Sequence, residues 1–299
     1  MKTWYILGAG AIGGLWALRL HRAGLPVQVL RAGSTGGLRT LTLEDGTVRW
    51  QASIQQQSRP LAEPVIQRLL VCTKAQDALD AVHDWRSSLA PKACIVLLQN
   101  GMGVREALLA DSPDLRIFNA ITTEGVYRRS RDELVLAGAG STLLGSFDDA
   151  LTPLCRALAQ ELIQAGLPIR FSADIRRQLW RKLVVNCAIN PLTVLFSCTN
   201  GELLDKQRAL HLMQEVCREM APLMQGEGFA ADTDSLFSMV RDVARATAAN
   251  TSSMLADVRG GRTTEIAFMN GFVVARGATL GLPCPTNQAL FESVRERHR

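Results

Sequence analysis

The sequence predicts an N-terminal α/β domain built on a doubly wound parallel sheet, followed by an all-helical C-terminal domain. Three observations support this prediction. A glycine-rich turn separates an apolar strand from an apolar helix near the N-terminus, continuous apolar runs typical of buried parallel strands continue to residue 100, and helical periodicity dominates from about residue 171. With 299 residues the chain is long enough for two cores. We expect the domains to span 1–170 and 171–299.

The first element is a strand, "TWYIL", followed by glycines spaced G-x-G-x-x-G. The apolar residues from Leu15 to Leu20 continue a helix that Gly24 and Pro26 end, and "VQVLR" at 27–31 is predicted to be the returning strand. A glycine-rich turn can also bind nothing, but the complete strand–helix–strand unit favours a Rossmann-type dinucleotide-binding domain. The expected phosphate-binding residues are Gly8, Ala9, Gly10, Ala11, Ile12 and Gly13.

The same N-terminal run also has some features of a secretory signal, because Lys2 precedes a charge-free stretch that reaches Arg19. Three features argue against that alternative and against a membrane anchor. The stretch contains four glycines, and basic residues follow where a small-residue cleavage site is expected. It is also shorter than the roughly 20 apolar residues of a membrane-spanning helix. We therefore expect neither a signal nor a membrane anchor.

The end of the second strand indicates which dinucleotide is bound. Arg31 stands where NAD-binding proteins place an acid for the ribose 2′-hydroxyl and NADP-binding proteins an arginine for the 2′-phosphate. The first acidic residue of the chain is Glu44, and Ser34 and Thr35 add hydroxyl donors. An ordinary surface arginine is the alternative. The pattern favours NADP over NAD.

Two further strands end in polar side chains. The apolar runs at 68–74 and 93–100 end in Lys74 and Asn100, and helices are expected at 75–90 and 102–110. Ligands of open parallel sheets bind beyond the carboxyl ends of the strands. Either residue could merely cap its strand, but together they indicate the cofactor edge of the sheet.

Composition excludes several classes of function. The net charge of +5 comes without a long Lys/Arg block, so we expect no nucleic-acid partner. The four histidines are far apart and give no metal-binding spacing. The seven cysteines are odd in number and contain no C-x-x-C pair, as expected for reduced thiols of a cytoplasmic protein.

Helical patterns in the second half place polar side chains among apolar ones. Helical periodicity covers 174–196, 203–225, 233–249, 262–281 and 286–297. Lys182, Asn186 and Asn190 recur every four residues and therefore share one helix face. A solvated stripe is the alternative. The apolar neighbours instead favour a pocket in which a substrate satisfies these groups.

A second polar cluster lies in "NTSSMLADVRGGRTTEI" at 250–266. Asn250 and Ser253 are expected one helical turn apart, and their amide and hydroxyl donors suit a carboxylate substrate. Glu265 stands among apolar residues, where a carboxylate suits a substrate hydroxyl or the opposing lysine.

The chain resembles the ketopantoate reductases (2-dehydropantoate 2-reductases). The resemblance is carried by "GAGAIG", "TKAQ", "LQNGMG", "WRKLVVNCAINPLT", "NGEL" and "NTSSMLADVRGGRTTEIAFMNG", which cover nearly the whole chain in the expected order. It implies a Rossmann domain followed by a helical domain. It also implies reduction of ketopantoate to pantoate with NADPH, on the route to pantothenate and coenzyme A.

The resemblance also implies roles for individual residues. Lys182 matches the general acid, and Glu265 matches a second acid beside cofactor and substrate. Asn100 matches a residue near both nicotinamide and substrate, and Arg31 and Lys74 match cofactor contacts. The matching substrate contacts are Asn186, Asn190, Asn200 and Ser253, with Asn250 in the same motif.

Other functions stay open from the sequence. One is NADP-dependent reduction of another 2-keto or 3-hydroxy acid, and a second is a non-catalytic NADP sensor. A sensor needs no lysine on a buried helix face. We expect a small-molecule keto acid as partner, no metal, and a monomer or homodimer.

Overall fold

The computed structural model describes residues 2–33 and 35–297, so Ser34 lies outside the described residues. The chain divides into two compact units. The first comprises Met1–Gln99 and Val104–Arg176, and the second comprises Asn100–Gly103 and Arg177–Arg299. The sequence predicted a boundary near residue 170 and did not predict that Asn100–Gly103 joins the second unit.

One sheet organises the first unit. Its strands, in chain order, are Trp4–Leu7 (β1), Val27–Leu30 (β2), Gly37–Asp45 (β3), Val48–Gln57 (β4), Ile66–Val71 (β5), Leu89–Leu97 (β6), Arg116–Thr122 (β7), Gly125–Arg128 (β8), Glu133–Gly138 (β9), Thr142–Gly145 (β10) and Ile169–Phe171 (β11). The spatial order is β11-β10-β7-β6-β5-β1-β2-β4-β3-β9-β8.

The central strands β7, β6, β5, β1, β2 and β4 run parallel. The flanks are mixed, because β3 is antiparallel to β4, β8 to β9, and β10 to β7. The predicted parallel strands are thus found in the centre of the sheet, and the antiparallel pairs on its flanks were not predicted from the sequence. The predicted strands 68–74 and 93–100 also end earlier, at Val71 and Leu97.

Four helices belong to the first unit among the described residues. They are Ala11–Arg22 (α1), Ala75–Asp84 (α2), Val104–Asp111 (α3) and Thr152–Gln164 (α4). The predicted helix 75–90 stops at Asp84, and a 3₁₀ turn at Arg86–Ser88 follows it. The apolar face of α1 packs into a core that includes Trp4, Leu15 and Phe118. The predicted α/β class is confirmed.

The second unit contains only helices among its described regular elements. They are Ile175–Phe196 (α5), whose first residues belong to the first unit, Gln207–Gly226 (α6), Thr233–Ala246 (α7), Ser253–Arg259 (α8), Asn270–Leu280 (α9) and Pro285–Glu296 (α10). Trp180, Met213 and Val240 lie in its core. The predicted helix 262–281 was wrong in its first part, where a 3₁₀ turn spans Ile266–Phe268 and α9 starts only at Asn270.

A buried asparagine fixes the start of α9 against α5. Asn270 is fully buried, and its Nδ2 donates to the Cys187 carbonyl at 3.2 Å and to Oδ1 of Asn287 at 2.9 Å. A buried amide stabilises the structure only where such partners exist. The first hydrogen bond holds the start of α9 next to the middle of α5, and the second holds it next to α10.

The seven cysteines are all free thiols, and most are buried. In the described part of the chain no helix combines the length and hydropathy needed to cross a membrane. No group of three or more His, Cys, Asp or Glu side chains there is arranged to hold a metal ion.

Candidate active site

The glycine-rich turn of the first unit is held by close backbone contacts. Gly8 follows β1 with φ of +97°, and a Cβ on it would lie 2.6 Å from the Thr73 backbone nitrogen. A Cβ on Gly13 would overlap the Gly8 carbonyl oxygen. Only glycine fits at these two positions, so the first turn of α1 packs directly on the turn that precedes it.

The opposite side of this turn is open. Gly10 is the N-cap of α1 and makes no side-chain cap, and a Cβ on it would meet nothing within 4 Å. The first turn of α1 contains no acidic residue. Backbone N–H groups at such a helix start suit an anion. The turn formed by Gly8–Gly13, with Ala9, Ala11 and Ile12 between the glycines, therefore fits a pyrophosphate.

Arg31 and Lys74 flank the turn on either side of β1. The Gly8 N–H donates to the Leu30 carbonyl at 3.3 Å, which places half-buried Arg31, the next residue, beside Gly8. On the other side Cys72 N–H donates to the Leu7 carbonyl at 2.7 Å, and Lys74 is the N-cap of α2. The structure thus brings both predicted cofactor residues to the glycine turn.

Gln99 is a residue that sequence reasoning missed. It is buried two residues after the end of β6, and its Nε2 donates to the carbonyls of Val71 at 2.9 Å and Thr73 at 3.3 Å. These bonds hold the backbone that approaches Gly8. A glutamine before Asn100 gave no signal in the sequence, because its partners lie on another strand.

In the second unit, the polar face of α5 is largely withdrawn from water. Lys182 and Asn186 are half-buried, and Asn190 is buried with its Nδ2 3.8 Å from Sδ of Met269. Their neighbours Leu183, Val184 and Cys187 belong to the core. The face is therefore not the solvated stripe that was the alternative.

The charge of Lys182 depends on Glu265. Burial lowers the pKa of the Lys182 ammonium to about 8, and the Glu265 carboxylate partly offsets this shift by favouring the charged form. Glu265 is itself buried, at the residue that precedes the 3₁₀ turn. A lysine with this pKa can both hold a proton at neutral pH and give it up.

Asn100 is the third polar residue at the site of Lys182 and Glu265. Its Nδ2 donates to Oε2 of Glu265 at 3.4 Å, and two residues on the Met102 N–H donates to the Phe268 carbonyl at 2.8 Å. The second hydrogen bond fixes the backbone that carries Asn100. Lys182, Glu265 and Asn100, predicted from three separate segments, thus come together in the structure.

A second polar group contains the remaining predicted residues. Asn200 is buried, its Nδ2 donates to Oγ1 of Thr247 at 2.9 Å, and its N–H donates to the Asn250 carbonyl at 3.0 Å. Asn250 is exposed and precedes α8 instead of lying in it, so the expected helical-turn spacing to Ser253 was wrong. Ser253 is the first residue of α8 and is exposed.

Thr193 and Ser252 connect the two polar groups. Their hydroxyl oxygens are 2.6 Å apart and buried. Thr193 Oγ1 donates to the Asn190 carbonyl at 2.7 Å, while Ser252 Oγ accepts from the Leu255 N–H at 3.0 Å as the N-cap of α8. Ser252 must therefore donate to Thr193. A serine before a helix signals an N-cap, but the sequence gave no sign of its threonine partner.

Two family models match the chain, one described as ketopantoate reductase PanE/ApbA over residues 4–149 and one as its C-terminal part over residues 174–298. The chain belongs to the ketopantoate reductase family. A 2-dehydropantoate 2-reductase of Vibrio cholerae is 34% identical over 97% of this chain and 96% of its own length. One from Escherichia coli O157:H7 is 35% identical over 98% and 94%.

The solved structures that are similar to this chain include a member of the same family. A PanE/ApbA family ketopantoate reductase from Ralstonia eutropha JMP134 superposes with a TM-score of 0.87 at 26% identity, covering 99% of this chain and 98% of that one. A D-mandelate dehydrogenase in complex with NADH and anilino(oxo)acetate gives a TM-score of 0.90 at 23% identity, with coverage of 99% and 98%. The latter shows a shared fold.

The Thr193–Ser252 link predicts a specific loss of stability. Thr193→Val keeps the shape but removes the acceptor of the Ser252 hydroxyl, leaving a buried donor without a partner. We expect unfolding by urea to become easier by roughly 1–3 kcal/mol. Thr193→Ser keeps the hydroxyl and is the matched variant, so equal destabilisation by both substitutions would contradict a role for the hydrogen bond.

Proposed function

We propose that this chain reduces ketopantoate to pantoate with NADPH, a step on the route to pantothenate and coenzyme A. The observation that carries the proposal is the half-buried Lys182 beside Glu265, on a helix face that also presents Asn186 and Asn190. Relatives named 2-dehydropantoate 2-reductase, 30% to 35% identical over nearly the whole chain, support the same activity.

The proposed cofactor site is the glycine turn with its two flanking cations. The amides of Gly8–Gly13 suit the pyrophosphate, and a Cβ added at Gly10 meets open space where the phosphates must approach. Arg31 suits the 2′-phosphate, and Lys74 adds a second cation at the sheet edge. We also assign Asn100 and Glu265 to the nicotinamide end of the cofactor.

The proposed chemistry needs one proton donor from the protein. When bound, NADPH is the source of the hydride that reduces the keto carbon. Lys182 stabilises the negative charge that develops on the keto oxygen and then donates a proton from Nζ. Glu265 keeps that amine charged, and its hydrogen bond from Asn100 holds the carboxylate in place.

The remaining polar side chains suit the substrate. Ketopantoate carries a carboxylate and a terminal hydroxyl, which need hydrogen-bond donors and an acceptor respectively. Oδ1 of Asn200 is buried without a donor among the described residues, so it suits a hydroxyl. The donors that we assign to the substrate are Asn186, Asn190, Asn250 and Ser253.

Compartment and assembly are also part of the proposal. We propose a cytoplasmic enzyme that is a monomer or a homodimer. Seven free cysteines, most of them buried, support a reducing compartment.

One activity assay distinguishes the proposed function from a reductase of another keto acid and from a non-catalytic NADP sensor. Mixing the protein with NADPH and ketopantoate and following the loss of reduced-nicotinamide absorbance should show turnover. The value of kcat/KM should exceed that for pyruvate and other 2-keto acids. A preference for another keto acid would identify a different reductase, and NADPH binding without turnover of any of them would identify a sensor.

Lys182→Ala is expected to lower kcat by about 10² to 10⁴ fold, because the positioned proton donor is lost. The thermal midpoint and the NADPH affinity should stay close to those of the wild type. Arg181→Ala changes an exposed residue next to it on α5 and should leave kcat unchanged. A Lys182→Ala protein that is less stable but fully active would show that the lysine only supports the fold.

The lowered pKa of Lys182 predicts how the reaction depends on pH. Only the protonated Lys182 amine can donate the proton, so kcat for ketopantoate reduction should fall as pH rises through about 8. Glu265→Gln removes the carboxylate that raises this pKa, which should move the fall to lower pH. Glu215→Gln, which changes a carboxylate paired with Arg218 on α6, should not move it. An unshifted profile in Glu265→Gln would exclude this coupling.

A further inference from the structure

A second arginine lies at the glycine turn. Arg128, the last residue of β8, donates from Nη2 to the carbonyl oxygen of Ala9, between the first two glycines. Arg31 stands beside Gly8 at the end of β2. The turn therefore has an arginine at each of two successive residues, supplied by strands far apart in the sequence.

The strand that carries Arg128 is firmly anchored. β8 pairs with β9, and β9 pairs with β3 from Thr42↔Glu133 to Asp45↔Leu136. Ion pairs reinforce this edge of the sheet: Arg39 with Asp132 and Arg49 with Glu133. These contacts hold Arg128 in place before any ligand binds, which is the condition for preorganised recognition.

The surroundings of Arg128 disfavour its own charge. It is half-buried, and this burial together with the nearby Arg39 and Arg31 lowers its pKa, while Asp132 opposes the shift. Asp132 is already bonded to Arg39. Nε of Arg128 and Nη1 of Arg39 are buried without an acceptor among the described residues. Such a cluster of guanidinium groups is suited to a multiply charged anion.

We infer that Arg128 is a second ligand of the NADPH 2′-phosphate and, with Arg31, determines the choice of NADPH over NADH. The inference rests on the proposed function. In this type of domain the 2′-phosphate binds at the end of β2, where Arg31 lies. The guanidinium of Arg128 is close enough to Arg31 for the two positive charges to repel each other. A guanidinium has five donors, so the bond to Ala9 leaves others for phosphate oxygens.

Binding measurements separate this role from a structural one. Dissociation constants for NADPH and NADH are measured by calorimetry for the wild type and Arg128→Gln, together with those for adenosine 2′,5′-bisphosphate and adenosine 5′-monophosphate. We expect Arg128→Gln to weaken NADPH and the bisphosphate by about tenfold or more, the effect of losing a hydrogen bond to a charged group. NADH and the monophosphate should change by less than about threefold.

Arg129→Gln is the matched control. Arg129 is the next residue and forms an exposed ion pair with Glu44, so its loss should leave all four constants unchanged. If Arg128→Gln does not fold, Arg128→Lys is used in its place. This variant keeps the positive charge but lacks the planar guanidinium, and we expect it to bind NADPH less tightly than the wild type.

Each outcome has a distinct meaning. Equal weakening of NADPH and NADH would overturn the inference, because Arg128 would then only support the glycine turn. Unchanged NADPH affinity in Arg128→Gln or Arg128→Lys would overturn it as well. A wild-type protein that binds neither dinucleotide would instead contradict the proposed function.

Discussion

Lys182 and Glu265 are opposite charges withdrawn from water, and the rest of the second unit's site is arranged around their interaction. Burial alone would drive the lysine toward its neutral form, and the carboxylate limits that shift so that the pKa remains near 8. Glu265 reaches this position because residues 262–265 are not helical and α9 begins only at Asn270. Asn270 then ties that start to Cys187 on α5. Local irregularity is thus required for the proposed chemistry.

Local patterns predicted the centre of the fold well. The β1–α1–β2 unit follows from glycine spacing and apolar runs, which are properties of neighbouring residues. The antiparallel pairs at one edge join consecutive strands, β3 with β4 and β8 with β9, and the apolar runs of the sequence did not reveal these half-exposed strands. How these pairs join into one sheet depends on a distant partner. β3 pairs with β9, which lies about ninety residues later at Thr42↔Glu133, and no short-range signal encodes that pairing. The long predicted helix 262–281 failed for a related reason, since tertiary contacts override periodicity at Glu265.

In the candidate site, too, local spacing could be predicted from the sequence, whereas contacts between distant residues could not. The spacing of Lys182, Asn186 and Asn190 was sufficient to place them on one face, because a helix turns once in about 3.6 residues. The Thr193–Ser252 link spans 59 positions, and the Arg128–Ala9 contact spans 119. Each residue in these pairs is ordinary by itself. Only the folded chain shows that Ser252, and not Ser253, caps α8, and that a distant strand adds an arginine to the phosphate-binding turn.

The role of Lys182 as proton donor is tested most directly by measuring the pKa of its amine. Lysine labelled at Cε allows the titration of Nζ to be followed by NMR in the whole protein, with Lys182→Ala used to assign the resonance. We expect a midpoint of about 8, well below the 10.5 of an ordinary lysine, and a lower midpoint when Glu265 is replaced by Gln. A midpoint of an ordinary lysine, unchanged by Glu265→Gln, would contradict the proposal that this pair is the proton donor and its partner.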